Sequence, residues 1–278
     1  IIPMGAVAVR SLLGPLWRED VGPIGQWVGW KIPLQRWNAW VVPNYHPSYI
    51  RRAENQKEGP AIKLWFEHVL SEAFALSGRP WQTVPRYEDD VTVIYNADEA
   101  ADWLRSKVEA GGSFAIDYET NRLKPDYKNA CIVCCSVCWH GLYTIAYPWV
   151  GDAIAATGKL LQSKWPKIGA NNKFEDRWTR RMLGHPVRNW VWDTMLSAHH
   201  LDNRPGITSV KYQAFVRLGQ EPWDTHIKPM LQSTDERGLN RVNEIPMRDL
   251  LLYCGMDSLI EYKLAELQKK EMMNGKGN

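Results

Sequence analysis

The sequence lacks any long apolar segment. None of its apolar runs approaches the ~18 consecutive residues that a membrane-spanning helix needs, so we expect no membrane partner. We also expect no secretory leader, because the segment after Ile1 has neither a basic start nor a small-residue cleavage site. There is no initiator methionine, and we therefore expect a piece of a longer protein.

Cysteine is scarce and charge is nearly balanced. Five cysteines in 278 residues are too few for a disulfide scaffold and fit a reducing, cytoplasmic location. The net charge of +3 is compatible with nucleic-acid binding but does not demonstrate it. Fifteen tryptophans would allow base stacking, although we expect most of them to pack in the core.

The chain divides into two blocks. Residues 1–82 predict a small α/β unit that opens with a strand at 1–5 and ends with a connecting helix at about 61–76. A polar linker follows. Residues 90–272 begin with several strands and continue with helices, a pattern typical of an α/β layered domain with a mixed sheet.

The most informative segment is the strand Phe114-Ala-Ile-Asp-Tyr-Glu-Thr120. Strand side chains alternate, so Asp117 and Glu119 share one face of an otherwise apolar strand. Two carboxylates this close resist burial unless a proton or cation compensates them. The pattern favours a divalent metal held by oxygen ligands; the alternative is a pair of surface acids on an edge strand.

Two later segments add polar groups. Asn171 and Asn172 open a helix whose first turn carries Glu175 and Asp176, although capping and the helix dipole would also explain acids there. Farther on, Tyr253 and Asp257 are four apart on a partly buried helix and so lie on one face, where an ordinary half-exposed pair is the alternative.

In chain order these segments give Asp-x-Glu, then Asn-x-x-x-Glu, then Tyr-x-x-x-Asp. This order resembles the DEDD exonucleases of the tyrosine-containing subtype, and most closely the 3′–5′ proofreading domain of family A DNA polymerases. The resemblance covers roughly residues 90–272. It implies a ribonuclease H-like fold with two divalent ions, Mg²⁺ or Mn²⁺.

The resemblance also implies residue roles. Asp117, Glu119, Glu175 and Asp257 would bind the metals, and Tyr253 with Glu119 would orient the attacking water. Among the substrate-binding positions, Asn171 and Leu123 match those that hold the 3′-terminal nucleotide, Leu123 by wedging against the terminal bases, and Thr120 would lie beside that pocket.

One position departs from the family pattern. The family usually has Asp where this chain has Glu175, and the longer side chain would shift or weaken one metal. Asp176 is the alternative ligand. Because it is the next residue along the helix, its side chain points about 100° away from that of Glu175 around the helix axis. We therefore expect Glu175 to be the ligand.

A cysteine-rich segment offers a different metal hypothesis. The four cysteines between residues 131 and 138 have spacings that suggest zinc or iron–sulfur ligation. The segment has strand character, so alternation would separate them onto two faces. We expect buried thiols instead.

The N-terminal block has its own resemblance. The segments 5–14 and 41–49, the second with His46-Pro-Ser, look like the C-terminal half of a uracil-DNA glycosylase domain. The half that carries the water-activating loop is absent, so we expect no glycosylase activity. A turn histidine is the alternative role for His46.

The sequence therefore predicts a metal-dependent 3′–5′ exonuclease. Its expected substrate is a single-stranded or frayed DNA 3′ end, and its expected context is the proofreading module of a larger DNA polymerase. Two alternatives stay open: a decayed exonuclease fold that only binds DNA, and a ribonuclease D-like enzyme that trims RNA. Carboxylates at all four ligand positions argue against a fold that has lost its catalytic activity.

Overall fold

A computed structural model describes residues 1–79, 81–233, 235 and 238–275. The chain forms two compact units. The first combines Ile1–Pro85 with Asn203–Pro222, and the second combines Arg86–Asp202 with Trp223–Asn278. Residues 203–222, which lie inside the predicted range 90–272, thus group with the N-terminal unit.

The first unit is built of helices around a two-stranded antiparallel sheet. Its strands are β1 (Ile32–Leu34) and β2 (Ala39–Val41). Its helices are α1 (Ala6–Trp17), α2 (Pro47–Ala53), α3 (Gly59–Ala75) and α8 (Val210–Leu218).

Aromatic packing explains why α8 belongs to this unit. Tyr212 and Phe215 of α8 are buried against Trp17 and Trp27. The Trp27 and Tyr212 ring centroids are 5.0 Å apart, and those of Trp17 and Phe215 are 5.5 Å apart. Large aromatic surfaces stabilise a small core strongly, so the distant segment completes this unit.

The second unit contains a six-stranded sheet and helices. Its strands are β3 (Val91–Val93), β4 (Phe114–Thr120), β5 (Ile132–Trp139), β6 (Tyr143–Pro148), β7 (Lys167–Gly169) and β8 (Trp190–Asp193). Its helices are α4 (Ala97–Ala110), α5 (Gly151–Gln162), α6 (Lys173–Leu183), α7 (Thr194–Leu201), α9 (Lys228–Leu231) and α10 (Met247–Met273).

The sheet is mixed, with strand order β3-β6-β5-β4-β7-β8. Strands β4, β5 and β6 form an antiparallel meander, while β3, β7 and β8 pair in parallel with their neighbours. This arrangement confirms the predicted ribonuclease H-like α/β fold with a mixed sheet. Strand β4 lies near the middle, paired along its length with β5 and, at Phe114 and Ala115, with β7.

The long helix α10 packs closely on the sheet, against β3, β4, β5 and β6. A glycine allows this approach, because a Cβ on Gly255 would lie 2.3 Å from Cγ1 of Val91. The Ser136 hydroxyl of β5 also donates to the Cys254 carbonyl at 2.6 Å. These contacts fix the middle of α10 over β4.

One sequence prediction is wrong, and one helix was not predicted. The strand predicted at residues 1–5 is absent; Met4 makes only a single bridge to Asn44. Helix α5, which follows Val150, was not predicted. No helix among the described residues is long and apolar enough to cross a membrane.

Candidate active site

Strand β4 supplies two acids to one surface of the sheet. Asp117 and Glu119 are partly buried, whereas Ile116 and Tyr118, which alternate with them, pack in the core on the other face. The β4–β5 register places Asp117 beside Ser136 and breaks between Glu119 and Thr120. The predicted shared face of the two carboxylates is therefore present.

Helix α10 contributes three further groups above the same surface. Tyr253, Cys254 and Asp257 fall within about one turn of the helix, and Asp257 is buried. The Cys254 thiol is 3.7 Å from both the backbone oxygen and Oδ2 of Asp117. The helix thus faces the β4 acids at short range.

Three ligand atoms converge at this point. One carboxylate oxygen each from Asp117 and Glu119 and the sulfur of Cys254 lie within 4.8 Å of one another. Side chains that approach this closely, two of them acidic, are chemically able to hold a divalent cation. No pattern in the sequence indicated that Cys254 lies close to these acids.

Glu175 lies in the first turn of α6 and is almost fully buried, with 3% of its surface exposed. Its Oε2 atom is buried and has no hydrogen-bond partner. Burial raises the pKa of this carboxyl well above its usual value, and the negative charges of Asp117 and Asp193 add to the shift. A buried acid of this kind is compensated either by a proton or by a cation.

Asp176, the alternative to Glu175, has a structural role. Its Oδ2 accepts a hydrogen bond from Arg180 at 2.6 Å, and its Oδ1 accepts from the backbone N–H of Val187 at 2.8 Å. The bond to Arg180 is an i,i+4 pair within α6, and the bond to Val187 ties the helix to the chain that follows it.

The Tyr253 hydroxyl lies in an acidic environment. Its pKa is raised well above the usual value, mainly by burial and further by the charges of Asp257, Glu119 and Asp117. The phenol therefore stays protonated at neutral pH and remains a hydrogen-bond donor.

Asn171 is held in a left-handed backbone conformation (φ 59°) just before α6. Its N–H donates to Oδ1 of Asp193 at 3.1 Å, and that of Asn172 donates to Oδ2 at 2.9 Å. The same Asp193 carboxylate caps α7 by accepting from the N–H groups of Met195 and Leu196. Asp193 is therefore a positioning residue for the turn at Asn171. In the sequence, the only indication of this role is that Asp193 stands at the start of a helix.

The remaining two predicted substrate-binding residues follow or end β4. Thr120 is buried, and its hydroxyl donates to the Arg122 carbonyl at 2.8 Å. Leu123 is 58% exposed. A projecting apolar side chain is available for contact with a ligand.

The cysteine-rich segment does not form a metal site among the described residues. Cys134, Cys135 and Cys138 are buried in β5, while Cys131 is exposed just before it. All are free thiols, and only Cys254 of α10 joins a cluster of three ligating side chains within the described chain.

His46 has a local structural role in the first unit. Its Nδ1 accepts the Ser48 N–H at 3.1 Å and so caps α2. This contact explains His46 as a turn residue without reference to base excision.

Comparison with known proteins gives a family match. Residues 91–272 match the family described as 3′–5′ exonuclease. None of the curated proteins matches the chain. Because the family match begins at residue 91, the glycosylase-like interpretation of residues 1–82 is left without support and stays a prediction.

Solved structures with similar folds share little sequence. The catalytic core of RRP6 from Trypanosoma brucei superposes with a TM-score of 0.51 at 14% identity, covering 69% of this chain and 48% of that one. This chain thus spans about half of that relative, and the likeness shows the fold. Escherichia coli RNase D gives a TM-score of 0.46 at 13% identity (66% and 45% covered). The POL domain of Pol1 from M. smegmatis, in complex with DNA primer-template and dNTP, gives 0.48 at 14% identity (66% and 28% covered).

Proposed function

Because the chain belongs to the 3′–5′ exonuclease family matched by residues 91–272, we propose that it is a metal-dependent enzyme that removes nucleoside monophosphates from DNA 3′ ends. One observation carries the proposal beyond the family. The buried Oε2 of Glu175 lacks a hydrogen-bond partner, and the charge of Asp117 acts on the same carboxyl. A buried carboxylate without a partner is energetically unfavourable, and a bound cation would compensate its charge.

The residues fit a divalent metal centre. Asp117, Glu119, Glu175 and Asp257 would hold the ions, and their oxygens suit Mg²⁺ or Mn²⁺. The chemistry that a pair of such ions supplies is activation of a water and stabilisation of the leaving 3′ oxygen. Asp176 is unsuited to this role because Arg180 and the backbone of Val187 already occupy its oxygens.

Tyr253 and Glu119 would orient the attacking water. A protonated phenol donates one hydrogen bond, and a carboxylate accepts one, so together they fix the water's lone pair and its proton. A phenol is protonated at neutral pH, and burial beside Asp257 raises the pKa of Tyr253 still further above that pH. Geometry of this kind lowers the entropy cost of attack.

The substrate end would be held by the residues around the start of α6 and the end of β4. Leu123, exposed after β4, would wedge against the terminal base, and Asn171, fixed through Asp193, would hold the terminal nucleotide beside Thr120. A wedged terminal base cannot stay paired, so single-stranded or frayed ends would be preferred. The motif resemblance to polymerase proofreading domains favours DNA as the substrate and a polymerase domain as the partner in the parent protein.

The test uses the full chain with oligonucleotides labelled at the 3′ or the 5′ end. We expect DNA to shorten stepwise from the 3′ end with Mg²⁺ or Mn²⁺ and not with EDTA. Faster shortening of a matched RNA would replace the DNA assignment with RNA trimming. Binding of DNA without shortening in any metal would favour a binding module and overturn the proposal.

A further inference from the structure

The sulfur of Cys254 makes the acidic site a mixed thiol–carboxylate site. We infer that a thiophilic divalent cation, Zn²⁺ or Cd²⁺, binds to Asp117, Glu119 and Cys254 and competes there with the hard cation. The binding itself is independent of catalysis. Only its inhibitory consequence rests on the proposed function.

The spacing of the ligand atoms fits such an ion. Zinc–sulfur and zinc–oxygen bonds of the usual lengths, at a tetrahedral angle, place sulfur and oxygen ~3.6 Å apart. The Cys254 sulfur lies 3.7 Å from Oδ2 of Asp117, and the three candidate atoms lie within 4.8 Å of one another. The three atoms are therefore close to the separations that ligands of a single ion have.

A second observation points to a cation at this place. Glu175 is 3% exposed, its Oε2 has no hydrogen-bond partner, and Asp117 is close enough to influence its carboxyl. A cation beside Asp117 would compensate this acid as well.

The position of the sulfur is fixed by the fold. Cys254 is fully buried, and its carbonyl accepts a hydrogen bond from Ser136 at 2.6 Å. The sulfur cannot swing to solvent, so an ion reaches it only by binding the partly exposed carboxylates first. This arrangement favours cations that tolerate both oxygen and sulfur.

The chemistry separates two classes of cation. Mg²⁺ prefers oxygen ligands and would leave the thiol protonated, whereas Zn²⁺ and Cd²⁺ accept thiolate. When such an ion binds, the Cys254 S–H bond breaks, its electron pair forms the metal–sulfur bond, and the proton passes to solvent. No oxidation or reduction takes place.

The direct test titrates the protein with Cd²⁺ alone and records the ultraviolet sulfur-to-cadmium charge-transfer absorption. A Cys131→Ala background removes the exposed thiol, and Cys138→Ala serves as a buried-thiol control. We expect the Cys131→Ala and Cys138→Ala proteins each to show one saturable absorption band. The band should disappear in Cys254→Ala and Cys254→Ser, and excess Mg²⁺ should weaken it. A band that persists in folded Cys254→Ala or Cys254→Ser protein would overturn the inference.

If the alanine variant does not fold, two other variants keep the test decisive. The Cys254→Ser variant retains a polar group of similar size, and Asp117→Asn removes one carboxylate charge while leaving the thiol. Both should lower the apparent Cd²⁺ affinity at least tenfold, since even an outer-shell partner changes metal affinity ~10–100-fold. An unchanged affinity in either variant, with folding verified by circular dichroism, would contradict the site.

The inhibitory consequence is measured separately with active enzyme. At fixed Mg²⁺, the zinc concentration that halves exonuclease activity should be at least about tenfold higher for Cys254→Ser than for the unmodified chain. Equal zinc sensitivity would exclude Cys254 from the inhibitory site. A cadmium band without any exonuclease activity would leave the ion site established and refute only the proposed function.

Discussion

Arg180 donates a hydrogen bond to Asp176 at 2.6 Å, and this contact distinguishes Asp176 from its neighbour Glu175. Asp176 ties the first turn of α6 to the chain that follows the helix by accepting the N–H of Val187. Glu175 points into the interior with an oxygen that no protein group satisfies. Adjacent acids in one helical turn thus have separate tasks.

The first prediction concerns this pair. Glu175→Ala should lower exonuclease activity by about 10²-fold or more, the scale for loss of one group that stabilises developing charge. Glu175→Asp should retain activity because it keeps the carboxylate. Asp176→Asn is the matched control and should mainly lower thermal stability. Full activity of Glu175→Ala, together with loss in Asp176→Asn, would transfer the ligand role to Asp176.

The second prediction concerns the phenol of Tyr253. Tyr253→Phe removes the donor that would orient the attacking water, so the single-turnover cleavage rate should fall about tenfold or more, short of the 10²–10³ expected for a direct charge-stabilising donor. Binding of the oligonucleotide should change little. Tyr262→Phe is the control, because that hydroxyl bonds to Ser113 away from the acids. Equal rates for the two variants would remove Tyr253 from the chemistry.

The third prediction concerns Asp193, which accepts hydrogen bonds from four backbone N–H groups. Asp193→Ala should lower the free energy of unfolding by about 2 kcal/mol, the upper end for a helix cap. Because Asn171 loses its anchor, activity should fall in addition. Asn96→Ala removes the cap of α4 and should cost about 1 kcal/mol while activity is retained. Equal activity in both variants would refute a positioning role for Asp193.

The fourth prediction concerns pH and the buried Lys167. Burial lowers the pKa of its ammonium from 10.5 to about 8, and Arg188 contributes to the shift. Between pH 8 and 10.5 the Lys167 amine is protonated in the unfolded chain but not in the folded one, so its own contribution to stability rises with pH across that interval. The free energy of unfolding of Lys167→Met, relative to the unmodified chain, should therefore fall across that interval and stay level below it. Denaturant titrations at several pH values measure this difference, and a constant difference would contradict the assignment.

Local sequence signals predicted many of the elements that carry the site. Alternation along β4 correctly placed Asp117 and Glu119 on one face, and Asn96 and Ser209 mark helix starts where their side chains cap α4 and α8. The helix period likewise placed Tyr253 and Asp257 together. These features depend only on residues within a few positions of one another.

Features that depend on tertiary packing were not predictable. The assignment of residues 203–222 to the first unit follows from aromatic contacts such as that of Tyr212 with Trp27, about 185 positions away along the chain. Helix α5 begins after Val150, whose side chain gives no cap. The approach of Cys254 to Asp117 depends on how α10 lies over the sheet, which no local pattern encodes.

The measurement that tests the central claim most directly is metal-dependent cleavage by Asp117→Ala beside the unmodified chain. Asp152→Asn, an acid that pairs with Arg105 on the surface, is the matched control. With Mg²⁺ and a 5′-labelled DNA oligonucleotide, the unmodified chain and Asp152→Asn should give a ladder of products shortened from the 3′ end, and Asp117→Ala should give none. A ladder of equal rate from folded Asp117→Ala would contradict the claim that this acidic cluster carries the chemistry.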